Sequence, residues 1–342
     1  MSFLQNDRMG GTDLWRSGRP ILHGALALQA AVLVLSYIIT GLTIDLLSIA
    51  LILLPLFVCT GVAFAYRNRI DAPKLAISAE AAAILLTMLS LGTLITYAAG
   101  AASFPFAYSD AELHAADLRI GFDWLSYARM INEYPTLCWI LKLAYNSFNA
   151  QPLLLLAALI LANQFARLRI FLLAMFIALA ATSIIFIFFP AISAYGHFGE
   201  AARQLTAIYP PEGDVHITIL QQHIAFLEGL RDGSFRQVSA QTLTGLITFP
   251  SFHAVVACLF MWAAWTVRGL RIAALVTNML MLAASPLFGA HYLVDLFAGA
   301  GVAALSVILA TAVYAREPVW PPRYMPRLAR FGRRTGNAGA AG

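Results

Sequence analysis

Residues 250–314 read PSFHAVVACLFMWAAWTVRGLRIAALVTNMLMLAASPLFGAHYLVDLFAGAGVAALSVILATAVY, a stretch of three apolar runs with short connections between them. The runs cover about 250–267, 272–290 and 292–314. Each is close to the roughly 20 residues that a helix needs to cross a hydrocarbon layer of about 30 Å. Because the backbone amides of a lipid-exposed segment must bond within it, this stretch predicts three membrane-crossing helices.

Apolar runs of similar length recur through the rest of the chain. Of the 342 residues, 60% are hydrophobic and 11% are charged, against about 25% charged in an average soluble domain, which excludes a soluble globular protein. The first run is about 20 residues long and lacks a small-x-small cleavage site, so it is interpreted as a span and not as a signal peptide. We predict an all-α polytopic membrane bundle of about eight spans, near 21–40, 46–66, 78–99, 136–166, 170–190, 250–267, 272–290 and 292–314.

The fourth of these spans is too long for one straight crossing. It contains Asn146, Asn149 and Pro152. A proline inside an apolar helix removes a backbone donor and commonly bends or breaks the helix. We therefore expect two helical pieces here, with the second starting near residue 152.

Basic residues gather in the short connections at one membrane face. By the positive-inside rule this face is cytoplasmic and carries both termini, as in a multi-pass protein of a bacterial inner membrane. No long basic stripe is interleaved with aromatic residues, so the charge of +5 indicates topology and no nucleic-acid partner. The residues are Arg16, Arg19, Arg67, Arg69, Lys74, Arg167, Arg169, Arg268, Arg271, Arg316, Arg323, Arg327, Arg330, Arg333 and Arg334.

Two long polar connections, about 100–135 and 191–249, fall on the opposite face. Within them, 111–133 and 216–230 place apolar residues at helical spacing among charged ones, which predicts helices that roof the outer surface. The chain divides into N-terminal spans (1–100), a catalytic membrane core (101–315) and a basic, disordered cytoplasmic tail (316–342).

Ionisable side chains inside apolar spans are energetically costly and therefore indicate a functional site. In this sequence the notable ones are His253, His291 and Asp295. The two histidines lie 291 − 253 = 38 residues apart, about two spans and a tight turn, so both return to the same outer face. His291 and Asp295 are an i,i+4 pair on one helix face, where the carboxylate can accept a hydrogen bond from the imidazole. This interaction would fix the ring tautomer and make the other nitrogen a better nucleophile.

The predicted helix N-termini beside these histidines are suited to bind an anion. Pro250 suits the first helical position, and the amides that follow it, with the Ser251 hydroxyl, are donors for an anion. A second helix start follows Gly289, and we expect the two N-termini to converge on one phosphate. His291 would then attack phosphorus to form a phosphohistidine, Asp295 would support the imidazolium, and His253 would protonate the leaving alkoxide.

The strings FPSFHA (249–254) and GAHYLVDLFAG (289–299) resemble the second and third signature motifs of the type-2 phosphatidic acid phosphatase superfamily. The resemblance covers roughly 110–312. It implies a six-span catalytic core with His291 as nucleophile, Asp295 as its orienting partner and His253 as acid. The substrate it implies is a phospholipid or another lipid-linked phosphate at the outer leaflet.

This sequence departs from the lipid-phosphatase motifs at three places. Phe252 replaces the glycine before the second-motif histidine, and Ser285 replaces the third-motif arginine. The first motif, K-x6-R-P, is absent near the fifth span, where residues 189–195 read FPAISAY. These features resemble the inositol phosphorylceramide synthase branch, whose members transfer a phosphoryl headgroup to a lipid alcohol. Other groups must stabilise the negative charge of the phosphoryl oxygens in place of the missing motif arginines. The first candidate is Arg231, followed by Arg203 and Lys142.

The sequence leaves the acceptor open between water, which gives a phosphatase, and a lipid or polyol alcohol, which gives a headgroup transferase. The alternative is a transporter or flippase-like carrier whose His-Asp pair relays protons without covalent chemistry. No metal or other cofactor is expected, because the histidines lack metal-ligand spacing and Cys59, Cys138 and Cys258 are interpreted as small buried hydrophobes. The predicted site is His253, His291 and Asp295 for catalysis, with Ser251, Arg231 and Gly289 for phosphate binding.

Overall fold

The computed structural model describes residues 11–66, 73–209, 215–239 and 244–316. The predicted all-α polytopic bundle is confirmed. Residues 317–342, nearly all of the predicted tail, lie outside the described part of the chain. The helices are α1 (Gly11–Thr40), α2 (Leu46–Tyr66), α3 (Pro73–Ala102), α4 (Asp110–Arg119), α5 (Trp124–Asn132), α6 (Pro135–Asn146), α7 (Gln151–Leu161), α8 (Phe165–Phe188), α9 (Ala194–Phe198), α10 (Glu200–Arg203), α11 (Val215–Asp232), α12 (Phe252–Ala264), α13 (Arg271–Phe288) and α14 (Leu293–Ala315).

All eight predicted spans are helical, and six of the described helices are long and apolar enough to cross a membrane: α1, α2, α3, α8, α13 and α14. The pair α6 and α7 bends by 61° around a 3-10 turn at Ser147–Asn149 and would make a seventh crossing. This bend lies where the asparagines and Pro152 predict one. The helix α12 is apolar but has only 13 residues.

The two ends of the bundle differ in what they carry. The helices α12 and α14 begin at the end that holds His253 and His291, which we call the histidine face. The helices α1 and α8 begin at the other end, the arginine face, where Arg169 of α8 is buried against α1 and donates a hydrogen bond to Ser17. Predicted helices in the two long polar connections are also present, as α4, α5 and α11 on the histidine face.

The helices before and after residue 100 pack together. Both α1 and α3 contact α8, which in turn contacts α12 and α14 and is buried along most of its length. A two-residue parallel ladder also joins Thr43–Ile44 (β1) to Gln237–Val238 (β2) on the histidine face. The N-terminal helices are therefore tied to the core at both ends of the bundle.

The start of α12 lies directly on α14 at Gly299. A Cβ atom on Gly299 would meet the Ser251 carbonyl oxygen closer than real Cβ atoms approach any other heavy atom, and it would also press on the Ala254 side chain. The absence of a side chain at residue 299 therefore sets the distance between α12 and α14, and with it the position of His253.

We expect Gly299→Ala to lower the free energy of unfolding by about 1–3 kcal/mol, the usual cost of overpacking a tight contact. The matched control is Gly301→Ala on the same helix, where a Cβ atom would meet nothing within 4 Å. The control should be neutral or stabilising, because alanine favours helices over glycine by about 1 kcal/mol. Thermal unfolding in detergent measures both, and equal melting temperatures for the two variants would contradict this packing argument.

Candidate functional site

Three connections meet on the histidine face: residues 189–195, 244–251 and 289–292. The amide of Ala194 donates to the carbonyl of Ala290 at 2.8 Å, and the Thr248 hydroxyl donates to the carbonyl of Ala191 at 2.6 Å. The Ser251 amide donates to the Asp295 backbone carbonyl at 3.1 Å. These bonds fix the connections relative to one another.

His291 is buried, with 2% of its surface exposed, and its ring orientation follows from the neighbours of Nδ1. The Thr248 carbonyl oxygen lies 2.8 Å from Nδ1, and Oδ2 of Asp295 lies 3.4 Å from the same nitrogen. Both neighbours are acceptors, so Nδ1 carries the proton and Nε2 keeps the lone pair. The closest partner is thus a backbone carbonyl, and Asp295 stands at ion-pair distance for a ring that gains a proton.

The His253 ring lies beside the His291 ring. The two ring centroids are 5.8 Å apart in an edge-to-face arrangement. Tyr145 stacks on His253 at 4.4 Å, and Phe148 lies 4.8 Å away, so the bend between α6 and α7 forms an aromatic wall beside the half-buried ring. The structure therefore brings His253, His291 and Asp295 together.

Ser251 and Gly289 lie beside the histidines, but each already has a local role. The Ser251 hydroxyl oxygen accepts the Ala254 amide at 3.3 Å and caps α12. A Cβ atom on Gly289 would lie 2.6 Å from Cδ2 and 3.0 Å from Nε2 of His291. Glycine at 289 therefore leaves the space that the His291 ring and its Nε2 occupy.

Two buried carboxylates of α4, which the sequence reasoning missed, hold these connections. Asp117 accepts the amides of Leu293 and Val294, each at 2.8 Å. Asp110 accepts the amides of Ile192 and Ser193 at 2.9 and 3.1 Å. It also accepts the Tyr292 hydroxyl at 3.1 Å. Burial raises the pKa of both carboxyl groups, and the amide hydrogen bonds oppose that rise.

This arrangement corrects the expectation that two helix N-termini point at one phosphate. The free amides at the start of α14 are taken by Asp117, and the Tyr292 amide donates to Oδ2 of Asp295 at 2.9 Å. At the start of α12, the Ser251 hydroxyl oxygen accepts the Ala254 amide and the Asp295 carbonyl oxygen accepts the Ser251 amide. The amides at the start of α14 are therefore not donors for a phosphate.

Arg231 requires a correction too. One terminal nitrogen of its guanidinium donates to the Ser103 carbonyl at 2.8 Å and to the Ser103 hydroxyl at 3.0 Å, and the other donates to the Phe106 carbonyl at 2.7 Å. The group also lies 4.2 Å from the centre of the Tyr108 ring. Arg231 thus clamps the connection between α3 and α4, and we do not include it in the phosphate pocket.

The other two candidate cations differ in position. Arg203 pairs with Glu200 at 3.0 Å on the exposed surface. Lys142 is half-buried and lies on α6, one helical turn before the Tyr145 that stacks on His253. Only Lys142 is therefore on an element that touches the histidine pair.

His223 of α11 is a third histidine near this pair, and the sequence reasoning gave it no role. It is 9% exposed, and its Nε2 has no hydrogen-bond partner. Burial, with the positive charge of a protonated His291 as a second cause, lowers the pKa of His223 to about 4. The ring also interacts with the backbone of Gly245 and Leu246, on the same connection as the Thr248 that holds His291.

A family model described as the PAP2 superfamily matches residues 111–309. The match covers more than half of the chain and includes His253, His291, Asp295 and Asp117. Asp110 precedes the matched range by one residue. No curated protein and no solved structure matches this chain.

We expect Asp117→Ala to lower the free energy of unfolding by about 1–2 kcal/mol, because two amides at the start of α14 lose their cap. It should also change the ¹⁵N NMR signals of the His291 ring, which follows Asp295 and the start of α14. The control is Asp123→Ala, a partly exposed acid that caps α5 through the Ser126 amide. Unchanged His291 signals in Asp117→Ala would show that Asp117 does not position this ring.

Proposed function

Because the chain belongs to the PAP2 superfamily, we propose that it is a membrane phosphoryl-transfer enzyme that acts on lipid-linked phosphate esters through a phosphohistidine. The observation that carries the proposal is the pair of imidazoles, 5.8 Å apart, with Nδ1 of one of them held by acceptors. Such a pair offers a nucleophilic nitrogen and a separate proton donor around one anion.

In the first step, Nε2 of His291 attacks phosphorus and the bond from phosphorus to the leaving oxygen breaks. His253 donates a proton to that oxygen, because an alkoxide is a poor leaving group. The positive charge that develops on His291 is opposed by Asp295, whose Oδ2 lies 3.4 Å from Nδ1. In the second step, His253 takes a proton from the acceptor hydroxyl, whose oxygen attacks phosphorus and breaks the phosphorus–nitrogen bond.

The negative charge on the phosphoryl oxygens needs donors in place of the family arginines. We assign this role to the positive end of the α12 helix dipole, to His223 and to Lys142. Nε2 of His223 has no hydrogen-bond partner, and a dianion nearby would favour the protonated form of the ring. Ser251 and Gly289 shape the site instead, one as the cap of α12 and the other as the space beside Nε2 of His291.

A lipid substrate is supported by the surroundings of the site. A cavity of about 500 Å³ opens on the histidine face beside Phe188, Phe189 and Phe249, the last of which directly precedes the second motif. Its aromatic lining suits an acyl chain. The histidine face also lacks the clustered arginines, so by the positive-inside rule we assign the site to the outer, non-cytoplasmic side and the termini to the cytoplasm.

The acceptor decides between a phosphatase and a headgroup transferase of the inositol-phosphate type. We favour transfer to a lipid or polyol alcohol, since His291 is buried and aromatic side chains flank His253, which limits the access of water. Purified enzyme with a phospholipid labelled in its headgroup phosphodiester, with and without an alcohol acceptor, separates the two: a released headgroup phosphomonoester indicates hydrolysis, and a new phosphodiester indicates transfer.

We expect His291→Ala to abolish both turnover and the acid-labile phosphoenzyme that can be trapped with labelled substrate. His253→Gln should retain phosphoenzyme formation with a good leaving group and lose at least about 100-fold with an alkoxide, the usual scale of general acid catalysis. Arg203→Gln, an exposed charge on the same face, is the control for expression and folding. Substrate movement across vesicles without any phosphoenzyme would instead favour the carrier alternative.

The role of His223 predicts how anion binding depends on pH. The pKa of His223 is about 4, and a dianion bound beside it would raise that pKa, so binding takes up a proton. Tungstate, which stays a dianion, should bind more tightly as the pH falls from about 8 to about 5. His223→Gln should weaken tungstate binding roughly tenfold at the lower pH and reduce this slope, while Arg231→Gln should leave both unchanged. An unaltered slope in His223→Gln would remove His223 from the proposed pocket.

A further inference from the structure

A second cavity, of about 860 Å³, lies between α1, α2 and α3 at the arginine face, opposite the histidines. All three helices precede the part of the chain that the family model matches. The cavity volume is typical of sites that hold a small organic ligand. Neither the proposed reaction nor the family match assigns it a role.

The two ends of this cavity differ in chemistry. Its mouth is lined by Arg16, Arg19, His23 and Glu80, close to where α1 and α3 begin. Its deep end is lined by apolar or weakly polar residues nearer the middle of each helix: Leu26, Leu56, Ala83, Ile84 and Thr87. From Pro73 to Thr87 the lining of α3 extends over about 20 Å, at 1.5 Å per helical residue. The cavity is therefore elongated, with a charged end near a membrane surface and an apolar end toward the membrane centre.

The charged end is organised around one carboxylate. Glu80 accepts the Trp15 indole N–H at 2.7 Å, and its other oxygen lies 3.1 Å from Nε2 of His23 and 3.5 Å from the Arg19 guanidinium. These contacts fix the positions of Arg19 and His23 at the mouth. Arg16 also lines the mouth, so two arginines stand against one glutamate there and the lining keeps an excess of positive charge.

We propose that this cavity binds one anionic phospholipid, with its phosphate at Arg16 and Arg19 and an acyl chain along Leu26, Leu56 and Ile84. Charge complementarity selects the anionic headgroup, because guanidinium groups pair with phosphate oxygens through charge-assisted hydrogen bonds. The direction of the cavity, parallel to the helices, matches the direction of a lipid in the leaflet at the arginine face. The site is independent of the proposed phosphoryl transfer, which takes place at the other end of the bundle.

The test is a lipid titration of the purified full-length protein in detergent, followed by native mass spectrometry. The probes are phosphatidylglycerol, zwitterionic phosphatidylcholine and soluble glycerol phosphate. We expect phosphatidylglycerol to bind with a stoichiometry of one and at least about tenfold more tightly than phosphatidylcholine. Glycerol phosphate should bind far more weakly than the lipid, since the apolar end would stay empty. Tight binding of glycerol phosphate would overturn the lipid assignment.

Two variants separate the ends of the cavity. The double variant Arg16→Gln, Arg19→Gln should weaken phosphatidylglycerol binding about tenfold or more. Thr60→Trp should do the same by filling the space between α2 and its neighbours. Arg268→Gln, an exposed arginine of the same face outside the cavity, is the control and should not change binding.

Each other pattern overturns the proposal. An effect of the double variant without an effect of Thr60→Trp would indicate surface electrostatics alone. An effect of Thr60→Trp without an effect of the double variant would indicate an apolar site with no preference for phosphate. Both arginines are exposed, so their replacement should leave the melting temperature nearly unchanged and keep the comparison interpretable.

Discussion

Two buried carboxylates on one face of α4 hold the histidine face together. Asp110 and Asp117 are seven residues apart, so they lie two helical turns apart on the same side. Between them they accept four backbone amides and a tyrosine hydroxyl from the 189–195 connection and from residues 292–294. A buried carboxylate without such donors would be strongly unfavourable, so the interaction fixes both partners. The position of His291, between those two connections, depends on it.

The same carboxylates change the electrostatics of the site. Asp117 occupies the positive end of α14, which would otherwise attract a phosphate. The helix dipole of α14 thus stabilises Asp117, which has a structural role. In the proposed reaction, the negative charge of a substrate is stabilised by the dipole of α12 and by side chains. This division is consistent with a site that lacks the arginines of the first and third motifs, because the fixed negative groups beside the histidines already accept backbone amides.

The sequence predicts well those features that depend on local patterns. Apolar runs of about 20 residues and Pro152 gave the spans and the bend, and the spacing of His253, His291 and Asp295 gave the central group of the site. The role of Asp110 and Asp117 could have been suspected from the sequence, because their spacing puts them on one face of α4 with Leu113. All three residues are buried. The rest depends on contacts between distant segments. Nothing near Arg231 in the chain indicates that it donates to Ser103 and Phe106, and nothing near His223 indicates that the charge of His291 influences it.

The depth of the second motif follows from the length of α12. Its 13 residues extend over about 20 Å, less than the roughly 30 Å of hydrocarbon, so the helix starts below the surface of the histidine face. The extended segment before it must then satisfy its amides within the protein, because lipid offers no partners. It does so against α3: the amide of Thr244 donates to the Tyr97 hydroxyl, and that of Leu246 donates to the Thr96 hydroxyl. The N-terminal helices are therefore part of what makes a recessed site possible, since without α3 the segment that carries Thr248 and His253 would leave buried amides unpaired.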